Sequence, residues 1–247
     1  ANATARRTLD CTPGRSPEAY LPLPPFRPLA AGFATLSTGG LPSPTVGLYE
    51  RYLGFRVRRH SGDPPATVAL VITERDLLEQ GAYETLERFL DWAFEYDAEQ
   101  VAVYVSVLDE AVVDTLERQL AAVDAPRPLA VRGPNDTERA DAPVRVSIGL
   151  GGKHEFAGAV RALAEEVRSG ELDPDAIDET DIEERLVFPV EPDLVIKTGA
   201  ERLSDFMIWQ SVYSELYFTD VNWRDFRRRD YLRALLAFKQ RQRRFGR

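Results

Sequence analysis

The residues best suited to chemistry lie on one short segment, Lys197-Thr198-Gly199-Ala200-Glu201-Arg202-Leu203-Ser204. Lys197 and Arg202 supply positive charge, Ser204 supplies a hydroxyl donor, and the glycine lets backbone N–H groups approach an oxyanion. The segment is predicted to open a helix, whose amino-terminal dipole also favours an anion. We interpret it as a binding loop for a phosphate or diphosphate. A second glycine-rich turn, Gly149–Lys153, is a weaker signal, because most such turns only connect elements.

Two other charged features could join such a site. Glu215 is a carboxylate close in sequence to Trp209, Tyr213 and Tyr217, and it is interpreted either as a functional group or as the partner of a nearby arginine. The last 24 residues, 224–247, hold ten basic and two acidic side chains, so that the preceding 223 residues carry a net charge of −17. A basic tail on an acidic body is expected to bind an anion or an acidic partner, or to be a solvated helix.

Composition excludes several classes of protein. The chain has 247 residues, of which 44% are hydrophobic, and a net charge of −9, so it is not disordered as a whole. The single cysteine, Cys11, excludes an internal disulfide, and the two histidines, His60 and His154, argue against a multi-histidine metal site. Any metal is therefore expected to be a hard cation on carboxylates. The longest apolar runs, such as Val68–Ile72, are too short for a transmembrane helix.

The elements that must position these residues alternate between strands and helices. Strands are predicted at Thr67–Ile72, Val101–Val107, Val144–Leu150 and Leu194–Ile196, with a short edge strand at Tyr217–Phe218. Helices are predicted at Gly47–Arg59, Leu77–Phe94, Ala111–Val123, Glu155–Arg168, Phe206–Leu216 and Asp230–Arg244, and a loop over 124–142. The alternation predicts an α/β fold, a parallel β-sheet covered by helices. Sites in such folds lie outside the carboxyl ends of the strands.

The amino-terminal part is different in kind. Residues 1–44 hold eight of the 17 prolines and lack the charged start and apolar run of a signal peptide. We therefore expect an irregular, proline-rich arm over 1–44 and one α/β domain over 45–247.

Three stretches resemble the cis-prenyltransferases, the family of undecaprenyl and dehydrodolichyl diphosphate synthases. Pro192–Phe226, PDLVIKTGAERLSDFMIWQSVYSELYFTDVNWRDF, is similar to the family's signature. Val144–Phe156, VRVSIGLGGKHEF, resembles the strand and glycine turn before its middle helix, and Arg243-Arg244-Phe245-Gly246 resembles its carboxyl-terminal tail. The resemblance covers roughly 67–247 and is closest from 192 onward.

The resemblance implies a cis-prenyltransferase-like fold and a dimer that adds isopentenyl diphosphate to an allylic diphosphate with the help of Mg²⁺. The dimer is either a homodimer or a heterodimer with a catalytic subunit. No nucleic acid is expected, and membrane contact is expected to be peripheral at most. The location implied is cytoplasmic, with membrane association left open.

Individual roles carry over by position. Lys197 stands where the family has an arginine that grips isopentenyl diphosphate, and Arg202 and Ser204 match two further diphosphate ligands. Glu215 matches the carboxylate that helps to hold magnesium at the dimer interface. Arg244 and Gly246 match the tail motif that reaches into the neighbouring subunit's site.

The sequence departs from the family at the end of the first strand. The family's Met-Asp-Gly-Asn motif reads Ile72-Thr73-Glu74-Arg75, so that Thr73 occupies the position of the metal-organising aspartate. A neutral hydroxyl cannot replace a carboxylate as an anionic ligand. Glu74 or Asp76 could substitute if the loop path changes. The segment after the second strand is also altered, and the helices that line the family's product tunnel are shortened.

Three hypotheses follow. The first is a non-catalytic partner subunit of a heteromeric polyprenyl diphosphate synthase, similar to the Nogo-B receptor type of subunit. The second is a diverged active enzyme that uses Glu74 or Asp76, and the third is a repurposed diphosphate-binding protein. The aromatic stretch Phe206–Trp223 is the predicted dimer interface, part of which is expected to be core against the sheet.

Overall fold

A computed structural model describes residues 44–199 and 207–241, with side chains from residue 47 onward. These residues contain six strands, Thr67–Thr73 (β1), Gln100–Ser106 (β2), Leu129–Arg132 (β3), Val144–Ile148 (β4), Leu194–Thr198 (β5) and Glu215–Thr219 (β6). The seven α-helices of this part of the chain are Pro44–Arg59 (α1), Glu74–Leu77 (α2), Ala82–Glu95 (α3), Val113–Ala121 (α4), Gly152–Ser169 (α5), Glu179–Glu184 (α6) and Arg228–Gln240 (α7). Residues 1–43, which include most of the predicted arm, lie outside the described residues.

The strands form one sheet in the order β3-β4-β2-β1-β5-β6, and every pair is parallel. In the register, Val68 lies opposite Val101 of β2 and opposite Leu194 of β5. The middle five residues of both β1 and β2 are buried, as expected for central strands covered on two faces. The predicted α/β fold with a parallel, helix-covered sheet is confirmed.

The two faces of the sheet differ. One face carries the main core, in which Leu70 and Ile72 pack with α3, α4 and α7. The other face carries a small cluster that includes Val71, Val195 and Met207. Because side chains alternate along a strand, every second residue of β1 and β5 faces this smaller cluster. Side chains of the same alternation at the carboxyl ends of β1 and β5 therefore lie on the face of this cluster.

The terminal helices close the main face. Trp223, which is fully buried, donates its indole N–H to the carbonyl of Ala82 at 3.0 Å and packs against Phe89. Phe89 in turn makes an edge contact with Tyr231 of α7. Helix α1 packs on α7 through its buried Leu53 and Val57. Within the described residues, no helix has the length and apolar character needed to cross a bilayer.

The structure corrects two of the predicted elements. Residues 124–142, predicted as a loop, contain β3, an edge strand of four half-buried residues that is too short to show a clear pattern. The predicted helix Phe206–Leu216 is wrong for the part described, since residues 207–213 form turns and β6 begins at Glu215. Met207 has a φ of 36°, a left-handed backbone that interrupts a helix, and β6 instead pairs with the free edge of β5. The predicted edge strand at Tyr217–Phe218 is confirmed within β6.

Candidate functional site

The candidate site lies at the carboxyl edge of β1 and β5. Lys197 pairs with Val71 in the sheet register, and Thr73 follows two residues later on β1. Residues opposite each other in neighbouring strands point to the same side, so Lys197 and Thr73 both face the smaller cluster. The sheet therefore brings together the cation and the threonine that the sequence analysis singled out.

Lys197 is a buried cation that has no hydrogen bond or ion pair with any described residue, and only 7% of its surface is exposed. Burial lowers the pKa of its ammonium group, and the nearby Asp76 carboxylate partly opposes this shift. Desolvation penalises an ammonium group unless an anion compensates it. An anionic ligand at the carboxyl edge would provide that compensation.

Thr73 and Asp76 form a closed pair at the end of β1. The Thr73 hydroxyl donates to Asp76 Oδ2 at 2.7 Å, and the Thr73 backbone N–H donates to the same oxygen at 2.8 Å. The Asp76 N–H in turn donates to Thr73 Oγ1, which completes a capping box at the start of α2. The Asp76 carboxylate thus lies within hydrogen-bonding distance of the side chain that occupies the predicted aspartate position. Its second oxygen, Oδ1, accepts no hydrogen bond from a described residue.

Glu74 has a structural role in this fold. Its carboxylate is buried, and Oε2 accepts hydrogen bonds from the backbone N–H groups of Leu108 at 2.9 Å and Asp109 at 3.2 Å. These bonds fasten the loop after β2 to the end of β1. Glu74 and Asp76 each have one carboxylate oxygen that accepts two hydrogen bonds and one that accepts none from a described residue. Glu74 is only 6% exposed, whereas Asp76 is half-buried, so Asp76 has the more accessible carboxylate.

The described residues of one chain do not form a magnesium site by themselves. No group of three or more His, Cys, Asp or Glu side chains in the described ranges could hold a metal ion. Beside Thr73, Asp76 has the more accessible carboxylate, since it is half-buried and Glu74 is only 6% exposed. Because Mg²⁺ is commonly held by one or two carboxylates together with substrate phosphates, Asp76 is the better placed of these two described carboxylates to serve as a ligand at this edge.

The segment after the predicted diphosphate loop is held tightly by the start of α5. A Cβ atom added at Gly152 would lie 2.8 Å from the backbone nitrogen of Ile208 and 3.0 Å from that of Met207. Phe156, one turn further along α5, stacks on Trp209 with ring centroids 5.7 Å apart. The glycine turn singled out from sequence therefore allows a close approach of two backbones.

A buried carboxylate that the sequence analysis missed also holds residues 207–210 against α5. Glu155 of α5 accepts a hydrogen bond from the Phe188 N–H at 2.8 Å and another from Gln210 Nε2 at 3.1 Å. Gln210 Nε2 also donates to the Phe188 carbonyl at 2.7 Å. Burial raises the pKa of the Glu155 carboxyl, against the opposing effect of these hydrogen bonds. The only signal in the sequence was an acidic residue in the first turn of a helix, which also suits a solvated surface.

Glu215 lies at the opposite edge of the sheet. It is the first residue of β6 and pairs with Leu194, the first residue of β5, about 10 Å along the strand from Lys197 at ~3.3 Å per residue. Arg241 binds its carboxylate at 2.8 Å and also donates to the Leu216 carbonyl at 2.9 Å. The ion pair considered from sequence is therefore present. One chain does not bring Glu215 together with Lys197 and Thr73.

Four of the predicted site residues lie outside the described residues. Arg202 and Ser204 fall in 200–206, and Arg244 and Gly246 fall in 242–247. Their roles stay predictions from the resemblance.

The chain is similar in sequence to known prenyl diphosphate synthases. The family model described as putative undecaprenyl diphosphate synthase matches residues 130–246. The tritrans,polycis-undecaprenyl-diphosphate synthase (geranylgeranyl-diphosphate specific) of Methanopyrus kandleri is 32% identical over 251 aligned positions, which cover 83% of this chain and 92% of that protein. The enzyme of the same name from Methanocaldococcus jannaschii is 50% identical over 109 residues. That match spans 42% of this chain and 39% of the relative, so this chain covers about two fifths of the length of the Methanocaldococcus jannaschii enzyme.

A solved structure shows the same fold. The crystal structure of lavandulyl diphosphate synthase from Lavandula x intermedia, in complex with dimethylallyl diphosphate, superposes with a TM-score of 0.63 at 24% identity. The superposition covers 74% of this chain and 99% of that one.

Proposed function

This chain belongs to the cis-prenyltransferase family of undecaprenyl diphosphate synthases, and we propose on that premise that it is a non-catalytic subunit of a heteromeric polyprenyl diphosphate synthase. In this role it binds isopentenyl diphosphate with Lys197, Arg202 and Ser204, while a catalytic subunit supplies the metal-organising aspartate. The chain that grows in the complex is a cis-polyprenyl diphosphate.

One contrast at the carboxyl edge carries the proposal. At the end of β5, Lys197 is a buried cation with no bonded partner among the described residues, which suits a diphosphate. At the end of β1, the aspartate position holds Thr73, and Glu74 is engaged in hydrogen bonds to the next loop. The half of the site that binds an anion is kept, and the half that would organise the metal is not.

The packing of the main face supports the same conclusion. The resemblance places the family's product tunnel along helices that are shortened here to Ala111–Val123, the region of α4. The inward side chains of α4, Leu116 and Leu120, are fully buried in the core, together with Leu86 and Leu90 of α3 and Val105 and Ile148 of the sheet. A growing prenyl chain would have to displace these well-packed side chains. Forcing a packed core to rearrange typically costs about 1–3 kcal/mol for each site. The hydrocarbon is therefore expected to be housed by the other subunit.

The proposal is tested by binding of isopentenyl diphosphate. Equilibrium dialysis of labelled isopentenyl diphosphate against the chain, alone and with a paralogue that keeps the Met-Asp-Gly-Asn motif, is expected to show a site on this chain. Isopentenol, which lacks the diphosphate, serves as the control ligand and is expected not to compete. If neither preparation gains a site attributable to this chain, the diphosphate-binding role is wrong.

A second candidate, an active enzyme, is favoured by one observation. The Asp76 carboxylate lies 2.7 Å from the Thr73 hydroxyl, so a negative charge is held close to the position from which the family's aspartate is missing. In this alternative, Asp76 takes the place of that aspartate and the chain turns over as a homodimer. The same geometry favours Glu74 less, because its carboxylate is buried and fastens the loop after β2.

Dimerisation is expected through a surface formed by α5 and residues 207–213. Ile208, Val212 and Tyr213 are exposed there, and Val160 extends the row begun by Phe156 on α5. Met207 and Trp223, also in the predicted interface, are instead buried in the fold. An apolar surface of this kind, beside buried aromatic residues, is typical of subunit interfaces.

Val212→Glu is expected to weaken the dimer by about 2–4 kcal/mol, because it places a charge in an apolar contact. Light scattering at micromolar concentration, with and without the catalytic paralogue, measures the mass. The matched control is Ile177→Glu, an exposed apolar side chain between α5 and α6, which should leave the mass unchanged. A monomeric wild-type protein in both preparations would contradict an interface here.

The tail is expected to contribute to the partner's site. Arg244→Ala should lower the activity of the assembled complex roughly 10–100-fold, the value of one charge-assisted hydrogen bond to a diphosphate, while changing the melting temperature little. Arg247→Ala removes the same charge from the same tail and is the control. Arg241 is unsuitable as a control because it binds Glu215 and the Leu216 carbonyl. Equal steady-state kinetics for both variants and wild type would rule out a shared site.

A further inference from the structure

Helix α1 has two apolar faces, and the fold uses only one. Leu53 and Val57 point inward and are buried against the core. On the outer side, Leu48, Tyr52 and Phe55 are 68%, 55% and 58% exposed. Their spacing of i, i+4 and i+7 places them in one stripe along the helix. Exposed large apolar side chains in a row indicate a surface that binds something.

Arginines border this outer stripe. At 100° per residue, Arg51 and Arg58 lie along one side of the stripe and Arg56 along the other, while Arg59 continues it at the end of the helix. Arg56 lies over the Tyr52 ring at 5.8 Å and Arg59 over the Phe55 ring at 5.7 Å. None of Arg51, Arg56 and Arg59 forms an ion pair with a described residue. The helix thus presents apolar side chains flanked by uncompensated positive charge.

A cleft beside the stripe concentrates three guanidinium groups. It has a volume of about 490 Å³, and Arg51, Arg58 and Arg228 line it together with Tyr96 and one carboxylate, that of Glu50. Arg58 and Arg228 both bind the same oxygen of Glu95, so that one carboxylate serves two cations. Three guanidinium groups against the carboxylates of Glu50 and Glu95 leave the cleft with one positive charge in excess. Guanidinium groups in this arrangement suit a phosphate monoester or diester.

We propose that α1 is an interfacial helix that docks this protein on the surface of an anionic lipid bilayer. The outer stripe enters the boundary between headgroups and acyl chains, and the bordering arginines and the cleft bind lipid phosphates. A helix with apolar and aromatic residues on one side and arginines beside them lies in the plane of the membrane in this way.

Charge argues against two other occupants of the stripe. A second copy of the chain, related by a twofold axis, would place the arginine border of one α1 against that of the other, which is repulsive. Residues 1–43 carry four arginines against one aspartate and one glutamate, a net charge of +2, so they do not complement a cationic surface. An anionic bilayer complements both the charge and the apolar stripe, although the chain as a whole carries −9.

Co-sedimentation of the full chain with lipid vesicles tests the proposal. The wild-type protein is expected to bind vesicles made of equal parts phosphatidylcholine and phosphatidylglycerol, to bind pure phosphatidylcholine far more weakly, and to dissociate as salt is raised. Phe55→Glu is expected to weaken binding at least about tenfold, because it removes apolar area and adds a negative charge. The double variant Arg56→Gln, Arg59→Gln should lose roughly fivefold per arginine.

Matched controls come from elsewhere on the surface. Ile177→Glu and Arg161→Gln change an exposed apolar residue and an exposed arginine away from α1, and both should bind vesicles as the wild type does. Melting temperatures measured alongside establish that each variant is folded. Equal binding to neutral and anionic vesicles, or unchanged binding of folded Phe55→Glu, would overturn the proposal. A lower mass of Phe55→Glu in light scattering would overturn it in favour of a contact between copies.

Discussion

The chain on its own is expected to elongate farnesyl or geranylgeranyl diphosphate at least about 10²–10³ times more slowly than the complex with a catalytic paralogue. The reason is Thr73, a neutral side chain at the position where the family places a preorganised charge. Glu74 does not compensate for it, because its buried carboxylate is bound to the backbone of Leu108 and Asp109. Incorporation of labelled isopentenyl diphosphate by the chain, by the paralogue and by their mixture measures the difference.

Asp76→Asn separates this expectation from the active-enzyme alternative. The asparagine side-chain oxygen can still accept the hydrogen bonds from Thr73, so the turn at the end of β1 is retained while the charge is lost. If the homogeneous chain turns over rapidly and Asp76→Asn abolishes that turnover, the second candidate function is correct and the non-catalytic assignment fails. Unchanged, slow turnover in both forms is expected.

Glu74→Gln tests for a metal-organising carboxylate less directly than Asp76→Asn does. Glu74 is 6% exposed and holds the loop after β2, so an amide there would weaken two backbone hydrogen bonds at once. A loss of turnover in this variant would report on the loop as much as on a metal ligand. The sequence treated Glu74 and Asp76 as equal candidates, and their burial distinguishes them.

The central sheet could be predicted because its strands are buried on both faces. The runs TVALVIT and QVAVYVS each contain five consecutive buried residues, which is the pattern that a parallel strand leaves in a sequence. The edge strand β3 has no such pattern, since all four of its residues are half-buried. The residues after 206 looked helical because their aromatic side chains recur at helical spacing, while β6 forms from a pairing with β5 that no local pattern reveals.

The candidate site was predictable to the extent that its chemistry is local. Lys197 was found from its place in a glycine-containing segment, but its burial and its face depend on the register between β1 and β5. Glu155 was missed because its partners, Phe188 and Gln210, are 33 and 55 residues away. An ion pair between Glu215 and a nearby arginine was considered from sequence, yet the identity of that arginine, Arg241, and the position of Glu215 at the opposite edge follow only from the fold.

Lys197→Met is expected to reduce the activity of the assembled complex by roughly 10–100-fold, the value of about 1.5–3 kcal/mol for a charge-assisted hydrogen bond to the diphosphate. The same substitution is expected to leave the stability of the fold unchanged or to raise it. The ammonium group is buried without a bonded partner among the described residues, and an apolar side chain of similar length removes that desolvation. The free energy of unfolding of Lys197→Met should therefore equal or exceed that of the wild type.

The pH dependence of stability follows from the direction of the pKa shift. Burial lowers the pKa of Lys197 in the folded state below its unfolded value, so between these two pKa values the unfolded chain binds more protons and stability rises with pH. Below the folded pKa, the charged lysine destabilises the fold in full. The advantage of Lys197→Met in the absence of ligand should therefore be largest below the folded-state pKa of Lys197 and shrink as the pH rises through it towards the unfolded value of about 10. Denaturant unfolding at several pH values measures this trend.

Two further variants make the test specific. The Lys239 ammonium group donates a hydrogen bond to the Val57 carbonyl at 3.1 Å and so connects α7 with α1. Lys239→Met should therefore lower the free energy of unfolding and leave the kinetics with isopentenyl diphosphate unchanged. Lys197→Arg restores a cation of the type that the family carries at this position, and it should keep activity within a few-fold of the wild type, since the guanidinium group can bind a diphosphate through two donors. If Lys197→Met loses activity and stability together, Lys197 supports the fold and does not bind the diphosphate. If Lys197→Met keeps full activity, the anion binds elsewhere on the carboxyl edge.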